Sequence, residues 1–122
     1  MDIFHELMTV GKNTFDATNI IMRLVSDVKG RGVTTLTERD KKTLKRASSK
    51  LNEAQSVIKK LLKENNDKEM RIIIGAHRIL IGAFELTIQE SVLSDEWTPE
   101  QLRLLESYTH QVVYSTMIAG CD

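Results

Sequence analysis

Residues 72–85 read IIIGAHRILIGAFE, a seven-residue phrase written twice and the most apolar run of an otherwise polar chain. Placed on a helix, the repeat separates into three apolar seams. One holds Ile72, Gly75, Ile79, Gly82 and Leu86, a second Ile73, Ala76, Leu80 and Ala83, and a third Ile74, His77, Ile81, Phe84 and Ile88. Only the position shared by Arg71, Arg78 and Glu85 is charged in register. An ordinary surface helix shows its core a stripe of roughly 100°, so this helix has more apolar circumference than a single core requires. Its glycines each cost about 1 kcal/mol in a helix interior, and their seven-residue spacing fits close approach by a neighbour.

What that neighbour is can be narrowed. A membrane span needs about 20 predominantly apolar residues, and Arg71, His77, Arg78 and Glu85 interrupt the run, so no membrane is expected. Convergent polar groups for a small-molecule pocket are scarce, and no cofactor is expected. Two accounts stay open. Either the helix is enclosed within its own bundle, with bulky side chains such as Phe4, Phe15 or Trp97 on the glycines, or the surplus surface meets a second copy or another protein.

Working outward, the chain divides into four helical blocks, about 2–29, 38–64, 67–93 and 99–118. The first carries Phe4, Leu7, Gly11, Phe15, Thr18, Ile21, Met22, Val25 and Val28 at helical steps, with Asp2 as N-cap and Gly30 and Gly32 as stops. Thr37 caps the second block, where Glu38 and Asp40 suit the helix dipole. Its apolar stripe is Leu44, Ala47, Ser48, Leu51, Ala54, Ile58, Leu61 and Leu62. Asn66 with Glu69 resembles a capping box that opens the third block. The fourth has the clearest start: Trp97 as a staple residue, Thr98 as N-cap, Pro99 at N1 and Gln101 at N3. This block buries Leu102, Leu105, Tyr108 or Thr109, Val112, Val113, Thr116 and Met117. Helices of this length joined by short loops predict one all-α domain, an antiparallel up-down-up-down four-helix bundle.

Composition agrees, with one proline, six glycines and 5% aromatic residues. The single cysteine, Cys121, allows no intramolecular disulfide and fits a reducing compartment. The opening MDIFHELMTV has neither a basic leader nor a long apolar run, so no secretory signal is read there and a cytoplasmic location is expected. The chain is neutral by formal charge yet polarised. Residues 37–65 hold nine bases and four acids, whereas residues 84–122 hold one base and seven acids.

Catalytic and metal-binding sets are thin. His77 sits among apolar neighbours, where a lone histidine usually satisfies itself by hydrogen bonding. Glu106 and His110 are four apart on one helix face, but a di-iron bundle needs repeated Glu-x-x-His, which is absent. His5 and Glu6 do not open a zinc motif, because Thr9 stands where the second histidine belongs. No phosphate-binding glycine loop or nucleophile elbow is present, and Cys121 near a chain end is read as an exposed thiol. No catalytic, cofactor or metal residue is therefore assigned, and no enzyme is expected.

One polar feature has functional content. Arg39, Lys42, Lys45, Arg46 and Lys50 form a basic stripe on the second block, suited to several phosphates or to an acidic partner. The alternative is a solvated face balanced by Glu96, Glu100 and Glu106 of the fourth block. No aromatics interleave the lysines to stack bases. The sequence thus points to a small interaction protein of regulator, adaptor, inhibitor or immunity type. It would act by stoichiometric binding and self-associate through Ile72, Gly75, Ile79, Gly82 and Leu86. Nonspecific nucleic-acid binding through the basic stripe is the alternative.

Overall fold

The computed structural model describes residues 3–32 and 34–121, with side chains as far as Ser115. Four helices account for nearly all of it: α1 (Ile3–Arg31), α2 (Glu38–Glu64), α3 (Lys68–Val92) and α4 (Pro99–Cys121). Each packs on two neighbours in a ring, α1 on α2, α2 on α3, α3 on α4 and α4 on α1, and among the described residues the backbones of neither diagonal pair come close. Cross-helix contacts run in opposite senses: Lys60 meets Glu6 at one end of the α1–α2 pair, and Arg31 meets Asp40 at the other. Phe84 likewise faces Tyr108 while His77 faces Ser115. An up-down-up-down bundle requires this pattern.

The helix ends follow local chemistry. Gly32, at φ 67°, takes the left-handed conformation that ends α1. Gly30, read as a stop, stays helical because one left-handed residue suffices. Thr37 and Asp40 form a reciprocal capping box at α2. The N-cap of α3 is Asp67, whose side chain accepts from Met70 N, rather than Asn66; Asn65 Oδ1 accepts from Asp67 N and sets the turn. Thr98 and Gln101 close the box at α4 through bonds of 2.9 and 3.1 Å. The Asp2 cap lies outside the described residues, as do the side chains of Thr116, Met117 and Cys121.

The core takes one face from each helix: Ala17, Ile21, Val25 and Val28 from α1; Leu44, Leu51 and Ile58 from α2; Ile74, Ile81, Phe84 and Ile88 from α3; Leu105 and Val112 from α4. The expected stripe of α2 is the observed one, with Ser48 and Leu62 half-buried at its margins. On α1 the expected stripe holds at Thr18, Ile21, Val25 and Val28 but not at Phe4, Phe15 and Met22, which are exposed while Asn13, Thr14 and Ala17 are buried. Buried hydroxyls are satisfied within their own helix, Thr14 on Val10 O at 2.7 Å and Thr18 on Phe15 O at 2.9 Å. A polar residue can therefore hold a core position at little cost.

At one end the α1–α2 and α3–α4 loops are laced together. Leu36 N donates to Asp95 O at 3.0 Å, Trp97 N donates to Thr34 O, and Thr35 and Glu96 form an isolated antiparallel bridge. Thr35, in the α1–α2 loop, thus supplies a single ladder rung. Beneath it lies Asp40, only 3% exposed. Its carboxylate accepts from Arg31 Nη2 at 2.9 and 3.0 Å, from Thr37 N at 3.1 Å and from the Trp97 indole at 3.2 Å. Desolvation works to raise the Asp40 pKa, but these donors outweigh it and hold the group below its ordinary value.

Candidate functional site

The third seam of α3, Ile74, Ile81, Phe84 and Ile88, is the one turned inward. The first seam lies on the opposite side, because successive residues are 100° apart on a helix. Ile72, Ile79 and Leu86 are 63%, 76% and 57% exposed, and Leu93, at the C-cap and one further repeat along, is 85% exposed. The second seam is intermediate, with Ile73 and Ala76 exposed and Leu80 and Ala83 half-buried. An unbroken apolar row of α3 thus faces away from its own bundle.

The glycines give the same result. Nothing lies within 4 Å of a Cβ built on Gly75, and only Gln55 Nε2, at 3.4 Å, approaches one built on Gly82. Enclosure by Phe4, Phe15 or Trp97 is therefore overturned. Phe4 and Phe15 belong to α1, which lies diagonally across the ring from α3, and Trp97 is buried over Asp40. The third helix is not enclosed by this chain. Beside the glycines runs a groove of about 630 Å³, lined by Asn52, Gln55 and Lys59 of α2 and by Arg78, Ile79 and Glu85 of α3. Gln55 Nε2 donates to Arg78 O at 3.2 Å, while Gln55 Oε1 is buried with no partner among the described residues. Burial raises the Glu85 pKa above its ordinary value, opposed by the charge of Lys59.

Among the described residues, α3 is also the one helix long and apolar enough to cross a membrane by length and composition alone. The charges in 72–85 do not suffice to exclude a span on those grounds. The observation bearing on it is that Ile74, Ile81, Phe84 and Ile88 are engaged in packing within the bundle.

The basic stripe divides. Lys42 and Lys45 point outward, whereas Arg39, Arg46 and Lys50 join Arg23 of α1 along a groove of about 680 Å³ between α1 and α2. Among the described residues, none of these six cations forms an ion pair. Balance by the acidic fourth helix is also overturned, because α2 and α4 are diagonal in the ring. Glu106 pairs with Lys29 and Glu100 with Arg103, and of the α2 lysines Lys41 reaches Asp95 at 3.5 Å.

Among the described residues the histidines are not grouped into a metal-binding set. His77 Nδ1 lies 3.1 Å from Ile73 O, and Ser115 Oγ lies 3.4 Å from its Nε2, an arrangement that ties α3 to α4. Glu106 is engaged by Lys29, and among the described residues no three of His, Cys, Asp or Glu are grouped to hold a metal ion. The sequence did not single out the groups around Asp40, because Arg31, Asp40 and Trp97 come from separate elements. They tie the loops together at one end of the bundle. No family model matches the chain, and no curated protein or solved structure is detectably similar to it.

Proposed function

We propose that this protein acts by stoichiometric protein–protein binding, as a regulator, adaptor or inhibitor, and that the outer face of α3 is its docking surface and supports self-association. The observation that carries this is the row Ile72, Ile79, Leu86 and Leu93, exposed on the side opposite the core. Contiguous apolar surface of this kind marks interaction sites. Gly75 adds a second argument, since it forgoes about 1 kcal/mol of helix propensity where its own chain leaves room for a side chain. The docking residues are Ile72, Gly75, Ile79, Gly82 and Leu86.

Gel filtration coupled to light scattering tests it. The wild type should exceed the monomer mass in the micromolar range, and Ile79→Lys should return it to the monomer. Ile79 is 76% exposed, so the substitution should leave unfolding stability within about 0.5 kcal/mol, as is usual for surface changes. A wild type that stays monomeric, or a variant that assembles equally well, would remove self-association.

The unpaired cations favour a second function, nonspecific nucleic-acid binding by Arg39, Lys42, Lys45, Arg46 and Lys50. Counterion release would make such binding fall steeply with salt. DNA or RNA should then be retarded at low salt, with retardation lost in a Lys42→Glu/Arg46→Glu/Lys50→Glu variant. Absence of any shift at low salt would exclude it.

A further inference from the structure

We infer that the occupant of the α3 face is a second copy of this chain lying antiparallel, with Arg78 of each copy against Glu85 of the other about a two-fold axis. The assignment rests on α3 being a docking face, and it adds the identity, direction and register of the occupant.

The charges beside the seam carry it. Arg71, Arg78 and Glu85 recur every seven residues along the flank turned toward α2, where Gln55 bonds to Arg78 O. The other flank carries Ala76, Ala83 and Glu90 at the corresponding positions. Two parallel helices meet unlike flanks, so Arg78 would face Ala83 and Glu85 would face Glu90, a like-charge contact made twice. Two antiparallel helices meet like flanks, which sets Arg78 against Glu85 on both sides of the axis. Among the described residues neither Arg78 nor Glu85 has an ion-pair partner within the chain.

The apolar seam selects the same register independently. Counting from Arg78 against Glu85, Ile79 of one copy comes near Gly82 of the other, and Leu86 near Gly75, each two residues or about 3 Å along the axis from level. Each large side chain therefore meets a position with no Cβ. The space is available, since nothing lies within 4 Å of a Cβ at Gly75 and only the amide end of the Gln55 side chain, at 3.4 Å, approaches one at Gly82. A two-fold pair is also a closed arrangement that consumes both faces, whereas a head-to-tail one would leave a face open and propagate.

Charge reversal in the 122-residue chain provides the test. Arg78→Glu leaves acids at both positions 78 and 85 of the flank, and Glu85→Arg leaves bases at both. Each alone should dissociate about tenfold or more readily than wild type, because two attractive contacts become repulsive. Mixed in equal amounts, the two variants should form a heterodimer of near wild-type strength, resolved by sedimentation equilibrium. Circular dichroism on each variant should show an unchanged melt. A wild type that associates while both variants associate unchanged would overturn the antiparallel register and leave α3 docking intact. Stronger association of Glu85→Arg alone would overturn it in favour of a parallel pair, since that change relieves the contact with Glu90. A wild type that never associates, with Ile79→Lys indistinguishable from it, would overturn the docking face and this assignment together.

Discussion

Replacing Asp40 by alanine is expected to destabilise the fold by about 3 kcal/mol, because removing one partner of a buried, hydrogen-bonded ion pair leaves the others uncompensated. The carboxylate serves three groups at once: the Arg31 guanidinium at the end of α1, the Thr37 N–H at the start of α2, and the Trp97 indole before α4. Asp40→Asn keeps the shape and one acceptor oxygen but loses the charge, and should fall between wild type and alanine. Urea unfolding followed by circular dichroism measures both. The pH dependence separates charge from shape. Because the folded pKa is depressed, the unfolded chain takes up the proton first, so the stabilisation is present above the ordinary carboxylate value of 3.8 and is lost as pH falls through and below it. In Asp40→Asn this component of acid sensitivity should be missing. An alanine variant as stable as wild type would show that the loops are held by the backbone ladder alone.

The second large effect is expected at Phe84→Ala, at about 3–5 kcal/mol, the usual range for truncating a buried phenylalanine. Phe84 is fully buried and is the largest side chain of the inner face of α3. Its ring stacks on Tyr108 of α4 with centroids 6.3 Å apart and planes 23° from parallel, an arrangement that adds about 0.5–1.5 kcal/mol beyond burial. Phe84→Leu recovers much of the volume and none of the stacking, so it should lie between the two. Thermal unfolding of the three proteins orders them, and a loss below about 1 kcal/mol for alanine would mean that the bundle closes over the cavity.

How far these features could be read from sequence depends on the range of the interaction. The start of α4 was fully legible because Thr98, Pro99 and Gln101 act on one another within a single turn. The stripe of α2 was legible because, Asp40 apart, its buried residues are apolar and its exposed remainder is polar or charged. The phase of α1 was legible at Thr18, Ile21, Val25 and Val28 but not throughout: buried Asn13 and Thr14 read as surface, while Phe15 and Met22 read as core. Hydroxyls that bond back to their own helix are indistinguishable in sequence from hydroxyls in water. On α3 all three seams are apolar, so only the positions of α2 and α4 select Ile74, Ile81, Phe84 and Ile88 as the inner one. The seam Ile72, Gly75, Ile79, Gly82 and Leu86 was named as an interface from its surplus, and the structure shows where it lies without showing what covers it. Arg31, Asp40 and Trp97 are brought together only by the fold.

If the outer face of α3 docks as proposed, the two opposite faces of this helix answer to different demands. Substitutions at Ile74, Ile81 and Ile88 act on folding of the single chain, whereas substitutions at Ile72, Ile79 and Leu86 spare it. A complete mutational scan of this helix, scored once for abundance of folded protein and once for assembly, would give two sawtooth profiles of the same seven-residue period, displaced by about half a turn. The repeat that makes IIIGAHRILIGAFE look like one phrase written twice is therefore two superimposed messages, and the displacement between the profiles would separate them.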